Sequence, residues 1–252
     1  MRILITFALD LEFASWRRLH PFAKIPDTEF AGYEAKLGDT QVRVALTGVG
    51  GVRAKDVVRA ALEWRPDICI AAGLAGSLRA DYRVGEVLAA RDMMELESGR
   101  TVAADAGLLH RAKTGGAVVI DRLLTSSTMI LSAEGKRRLG NMAGAVEMES
   151  FAVVTEAVAK GIPAIAIRAI SDDVDEDLPM DFSGVLDDSG NVRTGRIVRA
   201  LARAPQKLPA LMRLGRHSRA ASMRLAEFLE RYVSGLAAGS GKVAEMAEAG
   251  RA

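Results

Sequence analysis

Apolar and polar positions alternate in blocks along the first 170 residues. Short runs rich in Val, Ile, Leu and Ala predict buried β-strands, because they are too short for core helices and are bounded by turn residues. Five such runs cover residues 2–8, 67–73, 84–94, 115–121 and 162–170, and a shorter strand closes the sequence GAVEM. The segments YEAKLG and QVRVALTG flank Gly38-Asp39, which predicts a hairpin.

Helical patterns separate these strands. Residues 52–64 place Val57, Val58, Ala61 and Leu62 on one face of an amphipathic helix, which ends before Pro66. Further helices are predicted over residues 132–140 and 149–160. Strands that alternate with helices predict a single α/β domain, with a central, mixed but mostly parallel twisted sheet covered by helices.

The texture changes after Ile170. An acidic, loop-like stretch over residues 171–191 leads into two basic helical segments, roughly 193–203 and 206–233, and then a Gly/Ala-rich end. We therefore expect one domain over residues 1–233 and a flexible tail over 234–252. The apolar side chains of 208–233 favour a helix packed over the sheet. The alternative is a basic amphipathic face that contacts a membrane surface.

The composition argues against several classes of function and of site. The chain is 49% hydrophobic, and 34 basic against 32 acidic residues give a net charge of +2, so charge offers no case for nucleic-acid binding. Cys69 is the single cysteine and three histidines lie far apart, so neither a disulfide framework nor a metal site is predicted. No signal peptide and no run of ~20 apolar residues is present, and a cytoplasmic protein is expected.

Two glycine-rich stretches follow predicted strands. TGVGGVRAK resembles a dinucleotide fingerprint only weakly, since Arg53 occupies the place of the third glycine, and no nucleoside triphosphate loop is present. Gly50, and Gly73 in AAGLAGSL, are expected in tight turns that either merely connect elements or bring backbone close to a ligand. Ligands of open α/β sheets bind beyond the carboxyl ends of the strands, where both turns would lie.

Carboxylates follow the same strand ends. Glu12 comes after the first strand, Glu147 and Glu149 flank a strand-to-helix junction, and Asp172 and Asp173 follow the strand 162–170. Each alone is explained equally well as a turn residue or as an acid at a helix start. Buried carboxylates are costly unless they are paired, so their joint placement predicts one functional site.

These residues belong to five motifs that together resemble a known family. FALDLE, TGVGGVRA, GLAGSL, AVEMES and RAISDD, spread in that order over roughly residues 1–185, resemble the nucleoside phosphorylase/nucleosidase superfamily. The nearest pattern is that of the 5'-methylthioadenosine/S-adenosylhomocysteine nucleosidases. The resemblance implies cleavage of a purine nucleoside, a homodimer, and no metal or organic cofactor. Phosphate is the alternative co-substrate to water.

The resemblance also implies roles for single residues. Asp172 matches the general acid for the purine, Glu149 the group that binds the ribose hydroxyls, and Glu12 the carboxylate that orients the attacking water. Arg168 precedes the acid as in the family. The remaining expected substrate-binding residues are Met148, Glu147 in a supporting role, Gly73, Leu74, Ala75, Gly50 and Leu9.

The chemistry explains these residue types. A purine anion is a poor leaving group, so an acid that protonates it helps the N-glycosidic bond to break through an oxocarbenium-like cation. Asp172 must then carry a proton at neutral pH, and the neighbouring Asp173 carboxylate is one expected cause. Glu149 can accept hydrogen bonds from two vicinal hydroxyls, and its charge would stabilise the developing cation.

The chain also departs from the family pattern. Leu74 stands where a Ser or Thr is usual, and Ser77 replaces a later glycine. The expected phosphate-binding arginines are missing from the first and third motifs, although Arg17, Arg18, Arg53 and Arg79 lie near them in sequence. Glu12 therefore favours hydrolysis, since a carboxylate beside an anion pocket is unfavourable.

Three alternatives stay open. A phosphate-dependent phosphorylase is the first, and the long basic C-terminal region resembles hopanoid-associated members thought to act on adenosylhopane. A nucleoside-binding protein without catalysis is the second, to which Leu74 gives weight. A dinucleotide-dependent oxidoreductase is the third.

Overall fold

The computed structural model describes residues 1–181 and 205–249. The strands are β1 Arg2–Phe7, β2 Ala23–Lys24, β3 Ala31–Leu37, β4 Thr40–Leu46, β5 Ile68–Ser77, β6 Val87–Glu95, β7 Thr101–Ala103, β8 Val118–Thr125, β9 Ala145–Glu147 and β10 Ala164–Asp172. The helices are α1 Asp10–Arg17, α2 Gly51–Leu62, α3 Ala106–Thr114, α4 Ala133–Leu139, α5 Ser150–Ala159 and α6 Leu208–Ala249. The helical segment predicted over residues 193–203 lies outside the described residues.

All the described strands join one mixed sheet. Its path runs β10-β6-β8-β9-β5-β1-β4-β3-β2, with β7 beside β6, and β10 also pairs with β5. Strand β1 runs parallel to β4 and β5, and β10 runs parallel to β5, whereas β3–β4, β6–β10 and β5–β9 are antiparallel. The predicted α/β class with a mixed sheet is therefore confirmed.

The side chains of β1 alternate between two hydrophobic cores, one on each face of the sheet. Ile3, Ile5 and Phe7 pack with side chains of α1, α3 and α6 on one face of the sheet. Leu4 packs on the other face with side chains of α2 and α5. The period of two along the strand thus builds a three-layer arrangement, in which both faces of the central strands are buried.

Two predicted features are borne out and one is wrong. Gly38 adopts a positive φ of 57° in the predicted hairpin between β3 and β4. The helix predicted from residue 52 is α2. The strand predicted to end at Gly73 instead continues to Ser77, so AAGLAGSL is not a turn after the strand. Its later residues remain extended because they pair with β10 and β9.

Helix α6 packs over the sheet through residues 221–236. Leu225 and Phe228 are buried, which confirms the packing interpretation there, whereas Leu208, Met212 and Met223 are exposed. Leu236 lies beyond the predicted domain end and is also buried, while the division at residue 233 stays a prediction. Within the described part of the chain, no helix combines the length and apolarity needed to cross a bilayer.

Candidate active site

A cavity of about 170 Å³ lies where β1, β5, β9 and β10 meet. It collects eight of the ten residues predicted for the site. These are Glu12, Asp172, Glu149, Met148, Glu147, Leu74, Ala75 and Leu9. The other two lie next to its carboxylates: Gly50 donates its amide to Glu149, and Gly73 packs beside Glu12. Residues spread over 164 positions of sequence are thus brought together, although their individual roles stay predictions.

Glu12 is held by backbone amides at the start of α1. Its Oε2 accepts hydrogen bonds from the amides of Ala8 (2.9 Å) and Leu9 (3.1 Å), and its Oε1 accepts one from Leu74 (2.9 Å). Burial raises the pKa of Glu12, an effect that the positive charge of Arg168 and these three amides oppose. The carboxylate is therefore fixed in place and poised to take up a proton.

Glu149 is anchored by the glycine turn before α2. Gly50 has a φ of 98°, a conformation that side chains rarely adopt, and its amide donates to Glu149 Oε1 (2.8 Å). Burial, followed by the nearby Glu147 charge, raises the pKa of Glu149 to about 8. The turn thus brings backbone close to a carboxylate of the site, while a close approach to a ligand stays a prediction.

Glu147 has no free oxygen. Thr125 Oγ1 donates to its Oε1 (2.5 Å), and the amides of Glu149 (2.9 Å) and Ser150 (2.8 Å) donate to its Oε2. Arg168 forms an ion pair with the same Oε2. Glu147 therefore caps the start of α5 and supports the site, as its predicted supporting role requires.

Arg168 reaches the site through the gap that Gly73 leaves. A Cβ at position 73 would lie 2.2 Å from Arg168 Nη1 and 3.0 Å from Glu12 Oε1. The guanidinium lies 3.7 Å from Glu149 and also donates to Ser150 Oγ (2.9 Å). Gly73 is thus needed so that one arginine can sit beside the buried acids.

Asp172 is held by two donors. Ser171 Oγ donates to its Oδ1 (2.7 Å), and the ammonium of Lys136 contacts its Oδ2. The strand register of β10 against β5 shifts between Ile170 and Asp172, so a bulge lies directly before the acid. The sequence pointed to Asp173 as the charged neighbour of this carboxylate, but the structure puts a cation there.

Sequence reasoning missed Lys136, which is only 1% exposed. Three adjacent basic residues in AEGKRRL suggest a solvated helix face, and Arg137 and Arg138 are indeed largely exposed. A signal was nevertheless present, because Ala133, also buried, lies three residues earlier on the same helix face.

Apolar side chains form a further part of the cavity wall. They come from the segment before α4, from β9 and from the segment after β10, and they are Met129, Ile130, Val146 and Leu178. The amide of Leu178 donates to the carbonyl of Leu131 (2.8 Å), which ties two of these segments together. Such a wall suits a flat heteroaromatic base.

Acidic side chains predominate in the lining of the cavity. Glu12, Glu147, Glu149 and Asp172 line it, and Lys136 is the only cation among the described lining residues. The four arginines considered for phosphate binding do not line it. Arg17 pairs with Asp10, Arg79 pairs with Asp81, Arg18 donates to Ser15, and Arg53 lies against Gly48.

Two larger cavities adjoin this one. A cavity of about 840 Å³ shares Ala8 with it, and a cavity of about 590 Å³ shares Val49 and Met148. Arg53 lines both of the larger cavities. A ligand that fills the small cavity therefore has room to extend past its mouth.

Comparison with known proteins places these features in context. The sequence model of the phosphorylase superfamily matches residues 2–203. A 5'-methylthioadenosine/S-adenosylhomocysteine nucleosidase from Exiguobacterium sp. is 25% identical over 210 residues, which cover 70% of this chain and 88% of the relative.

Solved structures share the fold. A futalosine hydrolase mutant of Helicobacter pylori superposes with a TM-score of 0.72 at 19% identity, covering 93% of this chain and 99% of the other. A 5'-methylthioadenosine/S-adenosylhomocysteine nucleosidase of the same organism, with butyl-thio-DADMe-Immucillin-A, gives the same score and identity, covering 93% and 98%.

Proposed function

The chain belongs to the phosphorylase superfamily, and from this premise we propose that it hydrolyses the N-glycosidic bond of a 5'-substituted adenine nucleoside. The observation that carries the proposal is the convergence of Glu12, Glu149 and Asp172 on one cavity. The three carboxylates come from separate strand ends, and each can perform a different part of the reaction. Names of relatives agree, since the Exiguobacterium protein is called a nucleosidase.

The base would lie between the apolar wall and Asp172. Met129, Ile130 and Leu178 offer contacts for a flat ring, and Asp172 offers a polar group for its edge. Proton donation to the purine makes it a better leaving group, and general acid catalysis of this kind is typically worth ~10²–10⁴-fold in rate.

The ribose would be held by Glu149. Its Oε1 accepts the Gly50 amide, while Oε2 lies 3.7 Å from Arg168, beyond hydrogen-bond distance. Arg168 therefore does not prevent Oε2 from accepting a hydrogen bond from a ribose hydroxyl. The positive charge that develops on the sugar favours ionisation of Glu149, and the ionised carboxylate in turn stabilises that charge.

Water is favoured over phosphate as the acceptor. Four carboxylates line the cavity, and the lining cation Lys136 already contacts Asp172. A phosphate anion would be repelled by such a site, whereas Glu12 can orient a neutral water and take its proton. Acid, base and charge stabilisation all come from side chains of this chain, so the proposal requires neither a metal nor an organic cofactor.

The 5' substituent would extend into one of the adjoining cavities. A volume of about 170 Å³ is small for a substituted nucleoside, because drug-sized ligands occupy ~300–1,000 Å³. The cavities of about 840 and 590 Å³ supply that space.

The test is purine release, with and without phosphate, from 5'-methylthioadenosine, S-adenosylhomocysteine, adenosine and inosine. Base and sugar products are followed together, and Asp172→Asn protein serves as the parallel control. We expect phosphate-independent release of adenine and a free sugar. Release only with phosphate, giving a ribose 1-phosphate, would instead establish the phosphorylase alternative. Nucleoside binding without release would establish the binding-only alternative.

Three further expectations remain proposals. A homodimer follows from the family resemblance and is tested by sedimentation. A cytoplasmic location rests on the composition of the chain. Peripheral membrane contact is supported by exposed Leu208 and Met212 beside Arg213 on α6, and would suit a lipid-tailed substrate such as adenosylhopane. Sedimentation with anionic vesicles tests that contact.

A further inference from the structure

Lys136 presents a fully satisfied ammonium group inside the protein. Its Nζ contacts Asp172 Oδ2 and donates to the carbonyls of Asp173 (2.9 Å) and Glu176 (2.9 Å). An ammonium has three N–H donors, whereas a neutral amine has two. Three acceptors around one nitrogen therefore identify the charged form in this state of the site.

Asp172 is correspondingly an acceptor at both oxygens. Oδ1 accepts from Ser171 and Oδ2 accepts from Lys136, a pattern that an ionised carboxylate satisfies without a proton of its own. A purine that leaves as a neutral base nevertheless needs a proton. The group in direct contact with Asp172 that carries a transferable proton is Lys136.

We propose that Lys136 is a positioning residue that supplies Asp172 with the proton passed to the leaving purine; the inference rests on the proposed function. As the bond from C1' to N9 breaks, its electron pair goes to the purine. Asp172, ionised at the start, takes a proton from Lys136 Nζ and passes it to a ring nitrogen of the purine. Lys136 becomes a neutral amine, and Asp172 ends as a carboxylate.

The charges favour this sequence. The positive charge leaves Lys136 as a positive charge develops on the sugar, so the total charge of the cavity is conserved. Lys136 is 1% exposed and contacts Asp172 Oδ2 directly, so the proton moves along a hydrogen bond that is already present. Water then adds to the sugar cation, and Glu12 takes the proton released from that water. After the products leave, Glu12 gives this proton up and Lys136 takes one up, which restores the starting state.

The experiment compares two leaving groups on the same 5'-substituted riboside. Adenine requires a proton to leave, whereas p-nitrophenolate leaves as a stable anion. Full-length wild-type protein is compared with Lys136→Met and Lys136→Gln. The Gln amide can still donate a hydrogen bond to Asp172, but unlike an ammonium group it cannot transfer a proton. Arg137→Met is the matched control, because Arg137 is the next residue on α4 and is exposed beside Asp175.

The expected result is selective. Both Lys136 variants lower kcat for adenine release by about 100-fold or more, with little change in KM. Release of p-nitrophenol stays at the wild-type rate or rises, because a positive charge near the sugar cation has been removed. Arg137→Met matches wild type on both substrates. Thermal melts verify that the proteins compared are folded.

Other outcomes overturn the inference. Equal loss on both leaving groups would assign Lys136 a structural role, as would loss of folding in both variants. Unchanged adenine release would show that Asp172 obtains its proton elsewhere. If the wild-type protein releases adenine and the variants give any of these three results, only the role of Lys136 is refuted and the proposed function stands. Wild-type protein that releases no base from any nucleoside refutes the proposed function itself.

Discussion

The backbone amide of Glu149 donates a 2.9 Å hydrogen bond to the carboxylate of Glu147, two residues earlier. The two acids of the VEME motif therefore do different things. Glu147 points back to the start of α5 and fixes the backbone there, while Glu149 accepts the amide of Gly50 and lines the cavity. Glu147 therefore holds in place the backbone that carries Glu149.

Glu147→Gln should damage both stability and ribose recognition. The change removes the closer of the two carboxylates that pair with the buried Arg168, and breaking a buried pair costs about 3–5 kcal/mol of unfolding free energy. The loss should fall at the lower end, because Glu149 ionises more readily once the Glu147 charge is gone. We expect a lower Tm and a lower kcat/KM, measured by thermal melts and steady-state assays.

Glu156→Gln is the matched control for that prediction. Glu156 also lies on α5 and contacts Lys55 and Arg59, but these partners are about half exposed. Exposed pairs of this kind contribute only ~0–1 kcal/mol. If Glu156→Gln were as destabilising as Glu147→Gln, the supporting role of Glu147 would be contradicted.

Glu12→Gln should impair hydrolysis while leaving substrate binding largely intact. The single oxygen of the glutamine amide can accept either from Ala8 and Leu9 or from Leu74, but the amide cannot take a proton from water. We expect kcat to fall by about 10²–10⁴-fold. Asp10→Asn, an acid on the same helix that pairs with Arg17, should retain activity. Hydrolysis at the wild-type rate in Glu12→Gln would remove its role as the base.

The sequence predicted the site better than its surroundings. Glu12 and Asp172 could be placed together because they follow or end strands β1 and β10, which both run parallel to β5. Glu149 follows β9, which runs antiparallel to β5, so its approach to the other two acids depends on that long-range pairing. The class of the fold followed from the alternation of strands and helices. These signals are local periodicities and spacings, which a single sequence displays directly.

Long-range pairing explains what the sequence missed. The extension of β5 past Gly73 depends on β9 and β10, whose register no local pattern reveals. Lys136 resembles its exposed neighbours in sequence, and only the acceptors supplied by Asp172, Asp173 and Glu176 explain its burial. Helix α1 was also missed, because its eight residues are too few to show a clear period.

Stability should depend on pH through Glu149. Its pKa is raised from 4.5 to about 8 in the folded state. Between these values the folded protein holds a proton that the unfolded chain has released, so unfolding free energy falls as pH rises through this window. We expect the wild-type Tm to fall between about pH 5 and about pH 8, and Glu149→Gln to reduce that fall.

The control for this pH dependence is Glu34→Gln. Glu34 is an exposed acid that pairs with Arg43, so its removal should leave the pH dependence of Tm unchanged. A fall in Tm of the same size in Glu149→Gln and in wild type would show that another group is responsible.

Gly76→Ala should displace Asp172 without straining the backbone. A Cβ at position 76 would lie 2.8 Å from Asp172 Oδ2, the oxygen that contacts Lys136, so the carboxylate would have to move. A misplacement of about 1 Å in a catalytic group can cost roughly 100-fold in rate, and we expect a loss of that order in kcat for purine release.

Gly215→Ala is the control variant, in which the added Cβ meets no other atom. Gly215 lies on α6 with nothing within 4 Å of the position that a Cβ would occupy, so the same change should leave activity intact. It should also stabilise the helix by up to about 1 kcal/mol. Wild-type purine release by Gly76→Ala would mean that Asp172 need not hold this position. Loss of purine release with retained p-nitrophenol release would tie the defect to proton donation.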